Sequence, residues 1–118
     1  MVDRKSSRAT SRKEKLGEAQ LQAVADLFAV LSEPTRLRAL QTLQDGPASV
    51  TEIMNALGVK QANASKQLGI LHQAGVLSRE KDGNSVRYAI RMPLVFDLCE
   101  LVCNGLRADA EEKLKLLA

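Results

Sequence analysis

Apolar side chains recur at Val24, Leu27, Phe28 and Leu31 with polar residues between them, a spacing that predicts an amphipathic helix starting near Glu18. Ser32-Glu33-Pro34 should stop that helix and start a second, because Pro is tolerated in a first helical turn and Ser or Glu can cap it. Leu37, Leu40 and Leu43 supply the second helix with a buried stripe, and Asp45-Gly46-Pro47 reads as a turn. Ser49-Val50-Thr51-Glu52 fits a capping box, in which hydroxyl and carboxylate satisfy each other's free backbone N–H groups. That predicts a short third helix to Leu57, ended by Gly58 in a left-handed conformation. A fourth helix is expected from Lys60 to Gln73, with Ala64, Leu68 and Leu71 inward and Gln61, Asn63, Lys66 and Gln67 outward.

After Ala74-Gly75 the pattern becomes alternating, with strands over Val76 to Glu80 and Ser85 to Ile90 around Lys81-Asp82-Gly83-Asn84. Val86, Tyr88 and Ile90 should face the core, and Ser85, Arg87 and Ala89 the solvent. Met92 to Ala118 reads as a long helix with two apolar faces. Leu94, Val95, Leu98, Leu101, Val102 and Leu106 form one; Phe96, Cys99, Cys103, Ala110, Leu114 and Leu117 form the other. Two faces need two partners, and the domain core and a second copy of the same helix are the simplest pair. Leu27, Phe96, Leu114 and Leu117 are therefore candidates for a dimer interface built from the first and last helices. The expected fold class is mainly α with a small β-hairpin (α+β), in the order α-α-α-α-β-β-α.

A short helix, a Gly turn and a second helix with polar residues near its start form a helix-turn-helix, and a basic hairpin behind it makes a winged helix. Charge follows the same division. Residues 1–15 carry six basic and two acidic side chains, 16–59 two and five, 60–91 six and two, and 92–118 three and five. The basic third block suits DNA phosphates, although a solvated charged face has the same composition. On the DNA reading, Gln61, Asn63, Ser65, Lys66 and Gln67 face the major groove, since Gln and Asn can pair with adenine edges and Lys with guanine or phosphate, and Lys60 joins them as a DNA-binding candidate at the start of the helix. Arg79, Lys81 and Arg87 would lie at the wing tip against backbone or minor groove.

The chain's 118 residues fit one domain. Met1 to Lys15 has almost nothing to bury and is expected to be a flexible basic N-terminal arm. Residues 16–118 would be a single winged helix-turn-helix domain with dimerising terminal helices. No apolar run approaches the roughly 20 residues of a membrane span, so a cytoplasmic protein without a membrane partner is expected. Nothing resembles a nucleophile with its base, a phosphate loop or a paired-carboxylate system, so an enzyme is not expected. The competing class is a winged helix used as a protein-interaction module without operator binding.

Leu31-Ser32-Glu33-Pro34-Thr35-Arg36-Leu37-Arg38-Ala39-Leu40 resembles the start of the second helix in ArsR-type (arsenic-repressor-like) bacterial transcription factors. Ala56 to Leu68 and Leu71 to Leu77 are similar to that family's recognition helix and its passage into the wing. The resemblance spans about residues 20–110 and implies a homodimeric repressor that binds an inverted repeat in double-stranded operator DNA and is released by an effector. Ser49 and Thr51 stand where metal-sensing members often carry a Cys-x-Cys pair. The last helix lacks the His that other members use in zinc sites between subunits. His72 matches a common family position and reads as a packed or capping side chain. Lys60 replaces the Ser or Thr of many relatives; it either remains solvated or meets a phosphate at the helix start.

No cofactor is required by these residues. Cys99 and Cys103 are one helical turn apart, with Cβ atoms expected about 5 to 6 Å apart, beyond the roughly 3.5 to 4.5 Å of an unstrained disulfide. Two readings of the pair stand: simple packing, or a candidate effector site holding a thiol-bound metalloid or metal ion, or acting by redox.

Overall fold

The computed structural model describes residues 14–118, and most of the expected basic arm over residues 1–15 lies outside them. In chain order the elements are α1 (Glu18–Leu31), α2 (Pro34–Leu43), β1 (Ala48–Ser49), α3 (Val50–Leu57), α4 (Gln61–Gln73), β2 (Leu77–Asp82), β3 (Ser85–Ile90) and α5 (Leu94–Leu117).

The helix ends follow from local chemistry. Ser32 closes α1 by donating its hydroxyl to Ala29 O at 2.7 Å, while the Glu33 carboxylate accepts from Thr35 N at 2.9 Å and Pro34 opens α2. At α3 the capping box is complete: Ser49 Oγ accepts from Glu52 N at 3.1 Å and Glu52 Oε1 accepts from Ser49 N at 2.8 Å. Gly58, at φ +67°, ends α3 in the left-handed conformation and reverses the chain toward α4.

Leu40, Leu43, Ile53, Leu68, Leu71, Val76, Leu77, Tyr88 and Val95 form the core where α2, α3 and α4 meet the sheet. Ile53, Leu68 and Leu71 are fully buried, and truncating any of them to Ala should cost about 2 to 5 kcal/mol. Position 37 departs from the expected stripe: Leu37 is exposed, and Ala39 faces the core with Leu40 and Leu43.

β2 and β3 form the hairpin, but pairing runs further than the alternation suggests, through Lys81↔Val86 and Asp82↔Ser85. Only Gly83-Asn84 remain as the turn, with Gly83 at φ +64°. A third strand, β1, pairs antiparallel with β3 through Ala48↔Tyr88 and Ser49↔Arg87, giving the sheet order β1-β3-β2. Two residues are too few to show alternation, so β1 exists only because the folded hairpin offers it an edge.

The two terminal helices differ most from expectation. Along α5 only Val95, Phe96 and Leu98 reach the core, and every residue from Cys99 onward is exposed. Val102 and Leu106 continue the Val95 stripe by two and three helical turns, and none of the described residues buries them. The domain core therefore covers only the beginning of the first apolar face. In α1, Leu31 is buried and Leu27 and Val30 are half-buried, whereas Leu21, Val24 and Phe28 are exposed. Leu27 and Phe96 accordingly pack on their own core instead of forming the centre of a free apolar face.

Candidate nucleic-acid interface

The packing of Ala64, Leu68 and Leu71 determines which side of α4 faces outward. Gln61, Asn63, Ser65 and Lys66 are all exposed along the first half of that helix. Lys60 occupies the N-cap with extended backbone and no side-chain cap hydrogen bond. The first-turn amides and the positive end of the helix dipole thus receive no acceptor from the cap side chain, a geometry suited to an incoming anion.

Gln67 is not part of this outward face. It is only 8% exposed, with its Oε1 accepting from Arg36 Nη1 at 2.8 Å and its Nε2 donating to Asn63 Oδ1 at 3.0 Å. The expectation that it points outward is corrected: position 67 lies beside the buried Leu68, one turn after Ala64, and the α2 guanidinium offers its amide a partner inside the domain. Arg36 itself is held by α1, donating from Nε to Val30 O at 2.6 Å and from Nη2 toward Ala29 O at 3.4 Å. Sequence reading missed Arg36, since nothing in Glu33-Pro34-Thr35-Arg36 signals a partner 31 residues away.

In the wing, cross-strand register places Arg79 opposite Tyr88 and Lys81 opposite Val86. Paired residues share a face, so both cations lie on the helix side of the sheet while extending beyond the core. Arg79 lines a cleft of about 480 Å³ with Ser65, Lys66, Gly69, His72 and Gln73. That cleft brings together Ser65, Lys66 and Arg79 from two elements. His72 is half-buried and meets Tyr88 edge-on, with ring centroids 6.4 Å apart and planes at 75°, the packing role expected of it.

Arg87 departs from the expected position at the wing tip. It lies on the opposite face of the sheet, donating from Nη2 to Pro47 O at 3.1 Å and sitting 3.6 Å from Glu52 Oε1. It braces the wing to β1 and the start of α3 instead of reaching the tip, because the β1 pairing brings Ser49 directly beside it. The Ser49 backbone N–H, then the Ser49 hydroxyl and the Arg87 charge, hold the Glu52 carboxyl below the usual carboxylate range.

Cys99 and Cys103 are both free and exposed on α5. Cys99 lines an open cleft of about 480 Å³ between α2 and α5, beside Arg38, Asp97 and Glu100, while Cys103 Sγ lies 3.8 Å from Arg107 Nη2. Among the described residues no group of three or more His, Cys, Asp or Glu side chains is placed to hold a metal ion, and no helix is long and apolar enough to cross a membrane.

A short α3, a left-handed turn, an outward polar α4 and a cationic hairpin beside it define a winged helix-turn-helix protein. Residues 33–79 match the family described as "Bacterial regulatory protein, arsR family". An HTH-type transcriptional regulator of Mycobacterium tuberculosis, Rv0081, is 38% identical over 79 residues, covering 66% of this chain and 67% of that relative. Its crystal structure superposes with a TM-score of 0.72 at 30% identity over 83% of this chain and 99% of that one. Similar too are a homodimeric winged helix-turn-helix domain, Mb0332 of Mycobacterium bovis (29% identity, TM-score 0.69, 80% and 87% coverage), and the antimony-specific repressor AntR (34%, 0.72, 85% and 90%). The chain belongs to the arsR family of bacterial regulatory proteins. It is a transcriptional regulator, not an enzyme.

Proposed function

We propose that this protein is a cytoplasmic, homodimeric repressor that binds an inverted repeat in double-stranded operator DNA through α4 and the wing. The observation that carries the reading is the convergence of Ser65 and Lys66 from α4 with Arg79 from β2 around one cleft, next to the exposed Gln61 and Asn63. Lys60, Lys66, Arg79 and Lys81 supply charge for phosphates, and Gln61, Asn63 and Ser65 supply hydrogen bonds for base edges. Exposed apolar side chains on α1 and α5 support assembly with a second copy, whose two-fold symmetry an inverted repeat would mirror.

Release by an effector is part of the same proposal, with Cys99 and Cys103 as its candidate site. Soft thiolates suit a metalloid or thiophilic ion, and the relative AntR is described as antimony-specific. The two sulfurs of one chain fall short of a ligand set of three, so a second copy would complete it. Both lie on the helix whose apolar face awaits a partner, where a change in helix packing would alter the spacing of two recognition helices.

Binding measured on operator and random DNA across a salt series tests the DNA reading. Asn63→Ala should cost about 1 to 3 kcal/mol on the operator and little on random DNA, whereas Arg79→Ala and Lys81→Ala should weaken both and flatten the salt slope. Absence of any salt-dependent DNA binding would leave the protein-interaction reading in its place.

A further inference from the structure

We infer that Arg36 and Gln67 set the hydrogen-bonding polarity of Asn63, so that α4 presents an amide donor to an acceptor edge in the major groove. This rests on the operator-reading assignment of α4 made above. The chain of contacts begins at the end of α1, where Val30 O, and more weakly Ala29 O, accept from the Arg36 guanidinium. The guanidinium continues to Gln67 Oε1, and Gln67 Nε2 continues to Asn63 Oδ1.

The direction of this chain follows from its first member. A guanidinium has five N–H donors and no acceptor, so the Gln67 atom facing it must be the oxygen. Gln67 is 92% buried by its 8% exposure and cannot trade that contact for water. Its nitrogen is therefore the atom that meets Asn63, and the Asn63 atom receiving it must be the oxygen. Asn63 is exposed, and with Oδ1 engaged it offers the Nδ2 hydrogens outward. Such a donor suits guanine O6 or N7, thymine O4 or adenine N7, whereas cytosine presents only the N4 donor and adenine N6 is likewise a donor. The paired contact to adenine, expected of an unrestrained Asn, would require Oδ1 to serve Gln67 and adenine N6 together. Gln67 and Arg36 thus act as positioning residues, and neither needs to touch DNA.

Gln67→Glu tests the polarity directly. A carboxylate accepts only, and it retains Arg36 as an ion-pair partner, so Asn63 must turn its amide to donate inward and expose Oδ1. Selection from a randomised operator should then show a shift at the base pair read by residue 63, identified as the pair whose preference Asn63→Ala erases. The wild-type protein should favour guanine or thymine over cytosine there and the Glu variant cytosine or adenine over guanine and thymine, a change in relative preference on the order of tenfold. Side-chain amide NMR on the DNA-free protein provides an independent readout. The Gln67 amide protons should be protected in the wild type and those of Asn63 should exchange freely, with Asn63 becoming protected in the Glu variant. An unchanged base preference, or an Asn63 amide that exchanges alike in both proteins, would overturn the inference. A wild-type protein that selects no sequence would overturn the DNA reading and its base preference, while the amide measurement would still decide the polarity of the relay.

Discussion

Replacing Leu106 with Glu tests whether the bare length of α5 is covered by a second copy. Leu106 lies three turns beyond Val95 on the same stripe, yet it is 66% exposed where Val95 is 0%. Complete burial of a Leu side chain contributes about 1.5 to 3 kcal/mol, so removing the two-thirds still exposed to solvent is worth about 1 to 2 kcal/mol per copy. A two-fold interface contains each substitution twice, which brings the loss to about 2 to 4 kcal/mol. At roughly 1.4 kcal/mol per tenfold change, the dimer should dissociate roughly 30- to 700-fold more readily, before the added cost of burying a carboxylate. Sedimentation equilibrium over a concentration series would measure this directly. The monomer should remain folded, since every residue around position 106 on α5 is exposed within its own chain; circular dichroism and the melting of the core provide that check. A dimer of unchanged strength would show that Leu106 is not at the interface. Dissociation with loss of the folded core would show instead that it supports its own domain.

Two further outcomes follow from groups in the structure. Glu33 and Glu52 are held below the ordinary carboxylate value of 4.5, chiefly by the backbone N–H groups of Thr35 and Ser49 respectively. Their contribution is therefore complete above that value and is lost as pH falls through it to the lowered values of the folded state. Thermal melts should show acid destabilisation below about pH 4.5 that flattens in a Glu33→Gln, Glu52→Gln double variant; identical pH profiles would exclude these caps as its source. If the thiols are the proposed effector site, Cys99→Ser and Cys103→Ser should retain operator affinity but lose release by antimonite, arsenite or oxidant in a gel-shift titration. A double Ser variant released as readily as the wild type would assign both thiols no sensing role.

Local rules sufficed wherever an element's partners lie within a few residues. The capping box at Ser49 and Glu52, the left-handed Gly58 and the inward stripe of α4 all depend on contacts within one or two turns, which the order of residue types specifies. The same holds for the hairpin, where alternation and Asp82-Gly83 place the turn to within a residue or two. These features were enough to show a winged helix-turn-helix and to place Gln61, Asn63, Ser65 and Lys66 on its outward side.

Only the tertiary structure decided what lies against each face. Gln67 reads as a surface amide until α2 brings Arg36 against it, and Arg87 reads as a wing cation until β1 pairs beside it and draws it toward Pro47 and Glu52. Hydrophobic periodicity identifies the apolar stripe of α5 but cannot say where the domain beneath it ends, because a Leu on a helix looks the same whether its partner belongs to its own chain or to another. The chain's own core ends near Leu98. That boundary follows from how many layers the first four helices and the sheet can stack, a property of packing in three dimensions that no local spacing encodes.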